Sequence, residues 1–176
     1  MSTRGSFGFI NNNKEYLFSN YSDSYPGGLG YDILKICVDI STNDEWNICK
    51  NDTSILYEKL QRISRRHDLI VDNDYIKDSL FCEHAYIINL DTLSFEYYVG
   101  FQLKPQLYNR FGYEKKNDYY PCRLAAIFDL KKINSFDNAM KIENNINTVW
   151  RSNEDDESMI TYCRKFKLIE LQKKSC

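Results

Sequence analysis

Between Asp23 and Gly30 the chain reads Asp-Ser-Tyr-Pro-Gly-Gly-Leu-Gly. Three glycines and a proline crowd its last five positions, from Pro26 to Gly30. Glycine reaches backbone conformations closed to other residues, and proline fixes one dihedral and lacks an N–H. The segment therefore cannot continue a strand or run inside a helix; it has to be a tight turn. Asp23 suits an Asx-turn, Pro26 the second turn position, and Gly27 or Gly28 a positive φ. The apolar period changes directly behind it, so the turn opens a helix. Backbone N–H groups at a helix start favour anions, which makes Tyr25, Gly27, Gly28 and Gly30 candidate binding positions for a small ligand or nucleotide. No Lys-Ser/Thr pair follows, so the segment is not a phosphate-binding P-loop.

Either side of this turn the elements follow from periodicity. Phe7 and Phe9 alternate with Ser6 and Gly8, and Tyr16 and Phe18 with Leu17 and Ser19, giving strands over 4–10 and 15–20. Asn11-Asn12-Asn13-Lys14 is the hairpin turn, because Asn tolerates positive φ. Leu29, Ile33, Ile36, Cys37 and Ile40 share one helical face. Residues 41–52 read as polar loop. Asp52 or Thr53 caps a second helix with Leu56, Leu60 and Ile63 inward. A short helix near 74–81, strands over 85–90, 95–99 and 122–130, and a Ser135-capped helix carrying Phe136, Ala139, Ile142 and Ile146 follow. Residues 158–171 lean to helix. The expected fold is a single α+β domain over 1–176, an antiparallel sheet with helices packed on it. Its N-terminal part, 1–30, is the hairpin and turn, and its C-terminal part, 135–176, is helical.

Composition narrows the function. At 176 residues and 43% hydrophobic content the chain can bury a real core. A net charge of -2 argues against general nucleic-acid binding. The six cysteines form no C-x-x-C pair, and His67 and His84 lack ligand spacing, so no metal and no cofactor is expected. No apolar signal segment or membrane-length run stands in the sequence, which points to a cytoplasmic protein with reduced, buried thiols. Fourteen Tyr and ten Phe supply rings that serve core and contact surface alike. Arg62, Arg65 and Arg66 cluster on neighbouring helical turns and could meet phosphates or an acidic protein surface. With Tyr25, Tyr119 and Tyr120 they are the candidate contacts, Tyr and Arg being favoured interface anchors.

One catalytic constellation can be written. If Met1 is removed, Ser2 becomes the first residue, and an N-terminal Ser carries its own base in the α-amine. Arg4 would clamp an anion and Asp23 orient the amine, in an amide hydrolase with an N-terminal-nucleophile-like fold.

Thr3-Arg4-Gly5, Asp23-Ser24-Tyr25-Pro26-x-Gly28-x-Gly30, Glu83-x-Ala85-Tyr86-Ile87-Ile88-Asn89-Leu90-Asp91 and Phe95-x-x-Tyr98-x-Gly100-Phe101 together resemble a family of small, uncharacterised phage and prophage proteins. The resemblance covers roughly residues 2–101. It implies a host-takeover or anti-defence factor that binds a host protein or ribonucleoprotein, such as an anti-CRISPR-like inhibitor in the host cytoplasm. The opening also resembles amidases that begin Met-Cys-Thr-Arg, with Ser at position 2 here.

Overall fold

A computed structural model describes residues 3–63, 69–70, 74–77, 79–80, 82–105, 110–112, 114–115 and 118–151. The chain starts with β1 (Gly5–Asn11) and β2 (Lys14–Asn20), joined by Asn12 and Asn13 at φ 52° and 61°. Two successive left-handed residues match the twist of a two-residue hairpin, which is why asparagine stands there. Asp91 accepts both of their N–H groups, at 2.7 and 2.8 Å, and so pins this hairpin to the next one.

A π-type turn over Pro26–Gly30 leads into α1 (Tyr31–Thr42). Then come α2 (Trp46–Asn51), α3 (Ser54–Gln61), β3 (Leu69–Ile70) and α4 (Asp74–Lys77). The second half holds β4 (His84–Asn89), β5 (Ser94–Val99), β6 (Arg123–Asp129), a 3-10 turn over Leu130–Lys132 and α5 (Phe136–Arg151). The expected helix over 158–171 lies outside the described residues.

All six described strands join one sheet in the order β3-β2-β1-β4-β5-β6. The fold is α+β as expected, but the sheet is mixed. Every neighbouring pair is antiparallel except β1 and β4, which run parallel with Gly5 beside His84 and Phe9 beside Ile88. Parallel neighbours need a long crossover, and the helical stretch between β2 and β4 supplies it.

That crossover leaves β1 covered on both faces, and all seven of its residues are buried. One face carries Phe7, Phe9, Phe18, Tyr86, Ile88 and Phe95 against the inward sides of α1, α3 and α5. The other carries Ile10, Leu17, Ala85, Ile87 and Tyr98 against Ile76, Phe111, Cys82 and Cys122. On this second face Glu96, only 1% exposed, accepts from Asn89 Nδ2 at 2.9 Å, Tyr98 Oη at 2.6 Å and Arg110 Nη2 at 2.8 Å. A buried carboxylate is tolerated because each oxygen is matched by a donor and the charge by a guanidinium. The network fastens the connection after β5 to the sheet.

The polar stretch expected as loop contains α2. Its anchor is Trp46, whose ring is buried and whose indole N–H donates to Ser41 Oγ at 2.8 Å. Six residues are too few for a helical period to register in the sequence. Asp52, one residue before the Thr53 N-cap of α3, accepts from Ser54 N at 3.1 Å, and Ser135 caps α5 by accepting from Asn138 N at 3.1 Å.

Candidate functional site

Strand register brings the start of β1, the end of β2, the start of β4, the end of β5 and the start of β6 to one end of the sheet. The loops leaving this end, here called the Gly5 end, include the glycine turn and the connection after β5. It has a buried layer and an exposed rim.

The buried layer centres on His84, which is fully buried. Its ring lies nearly parallel to Tyr86 and Tyr97, at 11° and 20°, and meets the edge of Trp150 at a centroid distance of 4.9 Å. Nδ1 is 2.8 Å from the Tyr97 hydroxyl, while Nε2 is buried with no hydrogen-bond partner among the described residues. Burial lowers the His84 pKa to about 4, so the ring is neutral near pH 7. Burial pushes both tyrosine hydroxyls well above their ordinary range. The cluster therefore holds its protons, and Nε2 is the unpaired atom in either tautomer: an N–H when Tyr97 donates to Nδ1, a bare lone pair when Nδ1 donates to Tyr97.

Tyr86 carries the layer into the turn by donating to Ser24 O at 2.9 Å. Gly30 packs against the Tyr86 ring so closely that a Cβ would stand 2.8 Å from Cε1. Asp23 takes φ 55°, and its carbonyl accepts Leu29 N–H at 3.0 Å. The Gly28 and Gly30 N–H groups donate to Tyr25 O at 3.0 and 3.4 Å. Three of the N–H groups expected to cradle an anion, those of Gly28, Leu29 and Gly30, thus donate to carbonyls within the turn. Of its candidate contacts, Tyr25 is 43% exposed and Gly27 is exposed, while Gly30 is buried.

The rim is apolar. Phe101 has φ 54° and is 48% exposed, and Leu103 is 70% exposed. A bulky non-glycine residue in the left-handed region is uncommon and costs energy, so something must hold it there. Ser79 does: its carbonyl accepts Phe101 N–H at 2.9 Å and its Oγ accepts Gln102 N–H at 2.9 Å. Leu80 beside it is exposed. Tyr119 meets Phe101 edge-on at 6.0 Å, and Tyr120 donates its N–H to Gln102 O at 2.9 Å with Lys115 over its ring.

The other sequence candidates are scattered. Ser2, Arg65 and Arg66 lie outside the described residues. Arg62 is exposed at the C-terminal cap of α3. The backbone of Arg4 is joined to Glu83 twice, at 3.2 and 3.0 Å, and no hydrogen bond or ion pair joins Arg4 to Asp23. His84 and Phe101 are the residues sequence reasoning missed. A period-2 count places His84 and Tyr86 on one face of a single strand, which is the signal available for the first. A positive φ at phenylalanine leaves none for the second.

Among the described residues no group of three or more His, Cys, Asp or Glu is arranged to hold a metal ion, and no helix is long and apolar enough to cross a membrane. Cys37, Cys49, Cys82 and Cys122 are buried free thiols.

Fold and site together define an α+β protein with a mixed sheet, a neutral aromatic–histidine layer at one end and an apolar rim above it. No family model, curated protein or solved structure matches the chain.

Proposed function

We propose that the chain is an interaction protein that grips a partner protein with the apolar rim at the Gly5 end. Phe101 carries the reading: an aromatic side chain is kept exposed in an unfavourable backbone conformation, beside the still more exposed Leu103. Strain that persists in a fold is compensated by its surroundings and gathers at functional positions. Exposed aromatic and aliphatic anchors on a rigid support are the usual makings of a binding hot spot. Tyr119, edge-on to Phe101, extends the same surface, and Tyr25 is exposed in the glycine turn at the same end of the sheet. Following the resemblance of its opening motifs, the partner is a component of a host defence system, and the outcome of binding is inhibition, as in an anti-CRISPR protein.

The test is functional. Expressed in a bacterium whose CRISPR system rejects a targeted plasmid, the chain is expected to restore transformation, and the purified effector is expected to bind it. A Phe101→Ala, Leu103→Asp variant that still melts like the parent should do neither. Binding unchanged by both substitutions would move the interface elsewhere. Failure of the parent chain against effectors of several types, with no partner captured by the rim, would remove the defence reading.

A further inference from the structure

The opposite end of the sheet, where Asn89, Ser94 and Asp129 stand in register, carries two adjoining clefts. One, of about 400 Å³, lies between the end of β6 and α5 and is lined by Asp129, Lys132, Asn134 and Lys141. The second, of about 460 Å³, lies toward the β4–β5 turn and is lined by Thr92, Ser94 and Lys131. Phe128, Asp129 and Lys132 belong to both. Each volume falls within the range of small-molecule sites.

Three observations speak to what would fit. First, Lys131, Lys132 and Lys141 face a single carboxylate, Asp129, on a chain whose net charge is -2, so positive charge is concentrated here against the overall balance. None of the three forms an ion pair among the described residues, whereas Lys35, Lys59 and Arg110 do. Second, the walls are set. Asp129 Oδ1 accepts the Lys131 N–H at 3.0 Å, and Asn138 Nδ2 bridges Lys132 O and Asn134 Oδ1 at 3.1 and 2.8 Å. Third, both clefts are lined by the half-buried Phe128, whose ring centroid lies 6.4 Å from that of the buried Phe95. Ammonium groups around a fixed aromatic ring suit a ligand with phosphates at one end and a planar ring at the other.

We propose that the paired clefts bind a nucleoside phosphate, with the base against Phe128 and the phosphates between Lys132 and its neighbours Lys131 and Lys141. The site is separate from the rim used in the interaction reading, and it stands or falls without it. It also differs from the nucleotide site expected at the glycine turn, where the Gly28, Leu29 and Gly30 N–H groups donate to carbonyls of the turn itself.

Amide NMR titrations with ATP, AMP and pyrophosphate test the proposal. ATP is expected to shift resonances of residues 92–94 and 128–141, to bind more tightly than pyrophosphate, and to weaken as salt is raised. A Lys132→Gln, Lys141→Gln variant should lose about tenfold in ATP affinity with an unchanged melting temperature. Phe128→Leu should erase the advantage of ATP over pyrophosphate and leave pyrophosphate binding as it was. The absence of shifts at millimolar ATP overturns the proposal. So does binding indifferent to the lysine substitutions, or binding lost on Gly27→Ala instead, which would return the site to the turn. Equal affinity for ATP and pyrophosphate in the parent chain overturns the part assigned to Phe128.

Discussion

His84 makes the stability of the protein depend on pH in a defined window. Its pKa is about 4 in the folded chain against an ordinary 6.5, so between these values the unfolded chain binds the extra proton. The histidine contribution is complete above about pH 6.5, declines as pH falls toward 4, and changes no further below that. The gap corresponds to roughly 3 kcal/mol. Urea melts at pH 7, 5.5 and 4 should show the loss, and a His84→Gln variant should show a shallower slope over the same range.

Phe101 is expected to behave in the opposite way from most exposed residues. Glycine accepts φ 54° without penalty, so Phe101→Gly should stabilise the fold by about 1 kcal/mol while weakening partner capture. A thermal melt and a binding assay on the same preparation separate the two effects. Gly30→Ala should cost about 1–3 kcal/mol, because the new methyl meets the Tyr86 ring and that ring is held by its bond to Ser24.

Among the elements, α2 depends most on one side chain. Trp46 is 2% exposed and hydrogen-bonded to Ser41, and a six-residue helix has little stability of its own. Trp46→Ala should cost about 3–5 kcal/mol and release the amides of 46–51 to hydrogen exchange well before those of α1. The Glu96 network makes a second element-level prediction. Glu96→Ala would remove the buried carboxylate that Arg110, Asn89 and Tyr98 all donate to, and should cost about 2–4 kcal/mol. A Glu96→Leu, Arg110→Leu pair should recover most of that loss in a chemical denaturation series.

Legibility varied with element length. The hairpin, α1, α3, α5 and the strands at β4, β5 and β6 are plain in the sequence because apolar side chains recur at 2 or 3.6 residues over several turns or pleats. The parallel junction of β1 and β4 is not, since periodicity reports which face a residue occupies and says nothing of which strand lies beside it. The turn at Asp23–Gly30 was readable as a turn, yet its glycines answer to neighbours distant in sequence, such as Tyr86 and Glu143.

At the scale of the molecule, the candidate surfaces come from loops that the sheet gathers, and that gathering is what one-dimensional reading lacks. Tyr25 and Tyr119 are recognisable as candidate contacts from residue type alone. Phe101 and His84 acquire meaning only when β4 and β5 are paired. The enzyme reading has its own check at this scale. Intact-mass measurement on the mature chain decides whether a free Ser2 amine exists, and a retained Met1 ends the hydrolase alternative. Arg4 and Asp23, its proposed helpers, are not joined to each other.

The parallel pairing at the centre of the sheet also governs how the chain can be made. Arg4 meets Glu83 across 79 residues, and β1 cannot obtain its second neighbour until β4 has been synthesised. Long-range closure of this kind slows folding and leaves early intermediates with uncovered strand edges. During translation the first three strands and four helices must wait on the ribosome for their keystone. A nascent chain arrested before residue 84 should therefore remain sensitive to protease, and one arrested well beyond β5 should become resistant.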